Sequence, residues 1–474
     1  MRRFVATLLV VIFTLSILVG CGKEKTKEIP EPDYTEVKVD IESYLKTMNN
    51  RPITPEAEAE IEEILSIITP AVTLSYPIDD SFMLWFYARY GETILHSLLK
   101  DIKEGKSADC FYDLTGNTLH VLWVYYCADT RVHADYLENV YTKDVDAKND
   151  IILSFAGDIN FDDTWPNMKL LAERHEGIES AFSEDLVAEM KNSDIFMINN
   201  ECTYTVGGDP LEGKAYTFKA RPECATYLRE LGVDIVSLAN NHVYDYGAEG
   251  LLSTIDTLNQ LKMPFVGAGN NIDEASKIVY FIINGKKIAF TSATQVERST
   301  NYTKEATSTS PGVLKTLNPE KYAKVIEEAD KKADYVIAFV HWGTEDSEWM
   351  GADQRRLAMR FIEEGADVII GGHTHCLQGI EYFNGVPIIY SLGNFWFDWN
   401  TEISKHTMLF QIKISDDNGV TYRMIPCEYE NGVTRMLTYK EERMNAYSYY
   451  KMISDGILID DEGYIIKEPS YDDD

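Results

Sequence analysis

The chain has 474 residues, enough for two or three domains and an ample buried core. Its hydrophobic fraction of 45% and charged fraction of 26% are those of an ordinary globular protein, which excludes disorder over the body of the chain. A formal net charge of -33 argues against nucleic acid as a partner, because phosphate backbones are bound by Lys/Arg surfaces, but an anionic substrate needs only a local basic or metal-bearing cleft.

Met1-Arg2-Arg3 followed by the apolar run Phe4 to Val19 reads as an export signal. Leu18-Val19-Gly20-Cys21 resembles a bacterial lipobox, so residues 1–20 are expected to be removed and Cys21 to carry diacylglycerol. Two acyl chains suffice for stable anchoring, which predicts a body on the extracytoplasmic face of the membrane. No spacing among the other cysteines picks out a disulfide. Residues 21–40, rich in Lys, Glu and Pro, read as a tether. Residues 41–148 read as a mainly helical accessory region, with helical patterns at Pro55 to Ile68 and Phe82 to Ile102. Its His96, His120 and His133 have no ligand spacing.

From Ile151 the rhythm changes. Short apolar runs recur at Ile151 to Ala156, Ile195 to Ile198, Ile235 to Ala239, Tyr335 to Val340, Val368 to Ile370 and Ile388 to Leu392, each followed by a polar cluster and a helical stretch. Strands alternating with helices predict an α/β domain, assigned to residues 149–400, whose strands are covered on both faces. Asn284-Gly285 between two apolar runs predicts a hairpin. Residues 401–474 hold a predicted strand pair, Met408 to Ile414 and Tyr422 to Pro426, then a helix from Tyr439 to Ile453 and an acidic tail.

The chemistry collects where the apolar runs end. Gly157-Asp158-Ile159-Asn160, Asn199-Asn200-Glu201, Asn240-Asn241-His242, His341-Trp342-Gly343 and His373-Thr374-His375 each follow one run. In an open α/β sheet the carboxyl ends of strands lie along one edge, so these groups are expected to converge. Carboxylates, amide and imidazoles together suit one or two divalent ions such as manganese, zinc or iron(II). His373 and His375 would face one cavity on a continuing strand, or grip two adjacent ions on a turn. A serine hydrolase fits poorly, because no G-x-S-x-G elbow is present. Lys214, Lys219 and Arg221 read either as solvated loop charges or as an anion clamp. Asn240 and Asp245 read as caps of a helix starting near Ala248, and Trp342 as packing or a substrate platform.

Ser237 to Gly247, His341 to Glu345, Gly365 to His375 and Ile389 to Phe395 resemble the signature blocks of the CapA family, bacterial poly-γ-glutamate capsule-synthesis proteins. Gly157-Asp158, Asn200-Glu201 and Lys214 to Ala220 fit as well, and the likeness covers about Ile151 to Phe397. The resemblance implies kinship with calcineurin-like metallophosphoesterases, hence an α/β/β/α sandwich with a two-metal site. By motif, Asp158 and His375 would bind the first metal, Glu201 would bridge, and Asn241, His341 and His373 would serve the second. His242 would be the acid, and Asn160 and Asn200 are retained as ligands or their supports. The chain departs from the phosphoesterase pattern where Asn160 replaces a histidine and Glu201 an aspartate. The implied role is synthesis, export or anchoring of poly-γ-glutamate or a related polymer, alongside capsule-synthesis membrane proteins. The alternatives are a non-catalytic polymer-binding assembly factor and a phosphodiesterase for another cell-surface substrate.

Overall fold

Along the strand Ile195–Asn200, Ile195 and Met197 face one apolar layer while Phe196 and Ile198 face another. The same split runs through Tyr335–His341, where Ile337 and Phe339 enter the layer shared with Ile195, and Val336, Ala338 and Val340 enter a third. Strands buried on both faces need cover on both faces. Here two sheets pack against each other through the shared layer, and helices cover each outer face. Pro166–Arg174, Glu184–Lys191 and Gly247–Gln260 bring Leu171, Leu186 and Leu251 to one sheet. Pro319–Asp330 and Ala352–Glu363 bring Tyr322, Ile326, Leu357 and Phe361 to the other. The result is the expected α/β/β/α sandwich.

The computed structural model describes residues 29–37, 53–68, 78–106, 109–119, 121–122, 126, 139–143, 150–297, 302–399, 401–415 and 419–468. The signal segment, Cys21, His120, His133 and the acidic tail lie outside them. In the first sheet, Ile151–Ile159, Ile195–Asn200, Ile235–Ser237 and Phe265–Val266 run parallel in that order. In the second, Lys286–Thr294, Tyr335–His341, Val368–Gly372 and Val386–Leu392 run parallel likewise. The polar clusters follow the carboxyl ends of these two series.

Several boundaries differ from the sequence reading. His406–Ile414 pairs antiparallel with Ile151–Ile159, so the segment after residue 400 completes the first sheet instead of following the domain. Tyr34–Glu36, within the predicted tether, pairs with Val140–Lys143, which in turn pairs with Val279–Ile283. Three residues are too few for a hydrophobic period, and this strand is held by the Tyr34 ring, set edge-on to Tyr141 and Phe281 at 5.1 and 5.7 Å. The single helix predicted from Phe82 is two, Asp80–Tyr90 and Glu92–Lys103, because Gly91 takes φ 83° between them. With Pro55–Ile67 these helices share a core of their own around Phe82, Trp85, Leu98 and Phe111.

The strand Val140–Lys143 ends in a buried ion pair, Lys143 Nζ to Asp234 Oδ1 at 2.9 Å, with Asp33 at 3.1 Å. Burial alone would lower the Lys143 pKa, and Asp234 and Asp33 more than reverse it. The pair joins the strand next to the edge of one sheet to the foot of Ile235–Ser237 in the other. Lys143→Met strands the Asp234 carboxylate and should lower unfolding free energy by about 3–5 kcal/mol in urea titrations, with part recovered by adding Asp234→Asn.

Candidate metal centre

The strand Ile151–Ile159 delivers Asp158 because its preceding residue has no side chain: a Cβ on Gly157 would stand 1.9 Å from the Gly393 carbonyl oxygen. Asp158 Oδ1 accepts a hydrogen bond from Asn199 Nδ2 at 2.7 Å, and Oδ2 accepts from the His373 N–H at 3.3 Å. On the neighbouring strand, residues two apart share a face, so Asn199 and Glu201 point into the site together. Asn199 Nδ2 also lies 3.4 Å from Glu201 Oε2 and 3.3 Å from His341 Nδ1. Asn200 points the other way, donating to the Cys202 carbonyl at 3.1 Å and accepting from the Tyr204 hydroxyl at 2.6 Å. The asparagine that supports the carboxylates is therefore 199, not 200.

After Ile235–Ser237, Asn240 Oδ1 accepts from the backbone N–H of His242 and Val243 at 3.0 and 2.9 Å. This closes a turn that presents Asn241 and His242, and it caps no helix. Asn241 Oδ1 sits 2.8 Å from His341 Nε2. His242 Nδ1 sits 2.8 Å from Asp245 Oδ2, and its Nε2 is 4.0 Å from Glu201 Oε1. Asp245 is no cap either: the helix begins at Gly247 with Tyr246 before it, while Asp245 is buried and orients the imidazole.

His341 ends its strand, and the next strand stops at Gly372. His373 and His375 then take φ 92° and 56°, which settles the earlier alternative: the pair lies on a left-handed turn. Left-handed backbone in non-glycine residues costs of order 1–3 kcal/mol, a strain found where side chains must be aimed. One ligand atom from each of Glu201, His373 and His375 lies within 4.8 Å of the others. His375 Nδ1 is 2.9 Å from Asn394 Oδ1 and 3.5 Å from Asp158 Oδ2.

Burial, and then the charge of Asp158, push the Glu201 carboxyl well above its ordinary range. Burial would raise Asp158 as well, but His375, His341 and the Asn199 amide hold it low. Burial lowers His341 to about 3 and His242 to about 4, and with help from its imidazole neighbours it takes His373 well below the usual range. Burial opposes charge on His375 too, yet Asp158 and Asn394 keep its pKa raised. Neutral imidazoles offer lone pairs. Among the described residues, buried Glu201 Oε1 and His373 Nδ1 have no hydrogen-bond partner. Facing carboxylates, neutral histidines and two unsatisfied donor atoms fit a divalent cation, which Asp158, Glu201, Asn241, His341, His373 and His375 would hold. When bound, such an ion polarises a phosphoryl or carbonyl oxygen and lowers the pKa of water.

The other expected site residues are turned to other partners. Asn160 Oδ1 accepts from the Asp162 N–H at 2.8 Å, so its oxygen serves the local turn. The basic trio is engaged by neighbours. Lys214 Nζ bonds Asp245 at 2.6 Å and the Asn241 carbonyl, Lys219 Nζ lies 4.9 Å from the centre of the Tyr246 ring, and Arg221 pairs with Asp163 at 3.0 Å. They form no shared clamp. Trp342 is fully buried and donates to the Tyr390 carbonyl at 2.9 Å, which makes it packing.

The profile of a family described as bacterial capsule synthesis protein PGA_cap matches residues 152–399, the span that carries every one of these groups. The chain belongs to this family. The capsule biosynthesis protein CapA of Bacillus anthracis is 33% identical over 232 residues, covering 48% of this chain and 56% of that protein. The PGA biosynthesis protein CapA of Bacillus subtilis (strain 168) is 34% identical over 216 residues, covering 45% and 56%. The chain thus spans about half the length of the curated relatives it matches. A solved 5'-nucleotidase from Candida albicans SC5314 superposes with a TM-score of 0.33 at 10% identity, over 66% of this chain and 56% of that one, too distant to bear on the fold.

Two outcomes follow from this geometry. Purified protein should retain divalent metal by elemental mass spectrometry, and His373→Ala should lose most of it while remaining folded by circular dichroism. In the metal-free protein, His242 stays neutral down to about 4 whereas the unfolded residue titrates near its ordinary 6.5. Unfolding therefore takes up a proton in that window, and stability falls as pH falls from 6.5 toward 4. His242→Gln should flatten the plot of unfolding free energy against pH there by about one proton, ~1.4 kcal/mol per pH unit.

Proposed function

We propose that this chain is a metal-dependent hydrolase or transferase, anchored through Cys21 on the extracytoplasmic face of the membrane, that acts in synthesis, export or anchoring of poly-γ-glutamate or a related anionic capsule polymer. The names of its Bacillus relatives support the pathway, and the ligand set supports one or two ions of manganese, zinc or iron(II). The observation that carries the catalytic part is the Asp245–His242 pair beside Glu201. Asp245 accepts from Nδ1, which fixes the ring and aims Nε2 at the space next to Glu201. From there Nε2 takes a proton from an attacking oxygen or returns one to a leaving oxygen. Lys214 holds Asp245 from its far oxygen, which keeps the carboxylate in place. Holding polymer in the cleft without chemistry is less well supported, since the basic residues that would hold it are already engaged.

In manganese-loaded full-length protein, His242→Gln should reduce hydrolysis of phosphodiester substrates by about 100-fold or more while metal content stays at the native level. Undiminished turnover would remove His242 from the chemistry.

A further inference from the structure

One side of the centre is walled by aromatic rings. Phe218 lies against His242 with centroids 4.3 Å apart, Phe397 edges onto His375 at 5.1 Å, and Trp399 stacks on His375 at 4.8 Å with planes 29° apart. Phe218 and Phe397 are buried, and core packing accounts for them. Tyr216 is different. It continues the wall outward, edge-on to Trp399 at 5.5 Å and to Trp165 at 6.1 Å, yet it is 49% exposed. A ring left half in water beside a site gains little from burial, and it presents a face to whatever enters.

Among the described residues, carboxylates stand on this rim. Trp399 Nε1 donates to Asp346 Oδ1 at 3.1 Å, with the Thr401 hydroxyl on the same oxygen at 3.3 Å, which fixes the indole. Glu345, the preceding residue, is exposed. Among the described residues, the basic trio is turned to other partners: Lys214 to Asp245, Lys219 to Tyr246 and Arg221 to Asp163. A polyglutamate chain would bring successive carboxylates against Glu345 and Asp346. A sugar suits the same surface, because its C–H face packs on rings and its hydroxyls donate to carboxylates.

We propose that Tyr216 and Trp399 form a stacking subsite for a sugar ring attached to the phosphoryl group at the metal centre, with Asp346, the carboxylate that fixes the Trp399 indole, accepting from its hydroxyls. The group bound beside the metal is then a sugar phosphate, not a glutamyl residue. This rests on the metal-dependent reading above.

The test is calorimetric titration of manganese-loaded full-length protein with glucose 1-phosphate, glycerol 1-phosphate and a γ-linked oligoglutamate. The native chain should prefer glucose 1-phosphate over glycerol 1-phosphate by about 2- to 12-fold, the worth of one ring contact. Tyr216→Ala should abolish that preference and Tyr216→Phe retain it, with manganese content unchanged in both. Equal binding of the two phosphates, no binding of either, or a preference that survives Tyr216→Ala overturns the subsite. Tighter, Tyr216-dependent binding of the oligoglutamate overturns the substrate class. A Tyr216-dependent sugar preference without hydrolysis of any phosphoester supports the subsite and removes only the hydrolase.

Discussion

Asp158 and Glu201 are both fully buried, at the ends of adjacent strands, with a single asparagine amide between them. Two carboxylates in such a place cannot both ionise unless positive charge is supplied, and the surrounding histidines do not supply enough, because burial keeps three of the four neutral. This constraint explains much of the local architecture. The glycine before Asp158, the two left-handed histidines and the Asn240 turn all bring donor atoms closer than regular strands would allow. The sandwich allows this because two parallel series of strands end on the same side, one contributing acids, amides and His242, the other the remaining imidazoles.

The layers were legible because doubly buried parallel strands appear in sequence as unbroken apolar runs, and those of Ile195 to Ile198 and Val368 to Ile370 need no tertiary information to recognise. The ligands were legible because they directly follow those runs. What escaped depends on distant partners. Whether Asn199 or Asn200 faces the carboxylates is decided by how far the strand extends, although counting back two from Glu201 points to it. Lys214 read as either a loop charge or part of an anion clamp because its partner Asp245 lies 31 residues away, on another loop. The role of Asp245 had a local signal, three residues after His242, that its place before a helix obscured. Hairpins at Asn384-Gly385 and Asn431-Gly432 repeat the Asn284-Gly285 signal with the same left-handed pair of φ angles.

An acidic protein with its site cations already engaged also repels anionic ligands at long range. Attraction for a phosphoryl group would then come chiefly from the bound ion, over a few ångströms. Raising ionic strength would screen the repulsion and speed the approach of an anion, the reverse of what a basic cleft gives.

The antiparallel pairing of His406–Ile414 with Ile151–Ile159 has a consequence for biogenesis. Ser154 and Gln411, neighbours in that ladder, are 257 residues apart in sequence. As the chain is made from its amino end, the strand that carries Asp158 stays an open edge until almost all of the protein has been synthesised. The centre therefore matures late, and a chain cut short after the family region would hold every ligand but lack the strand that closes the sheet beside them.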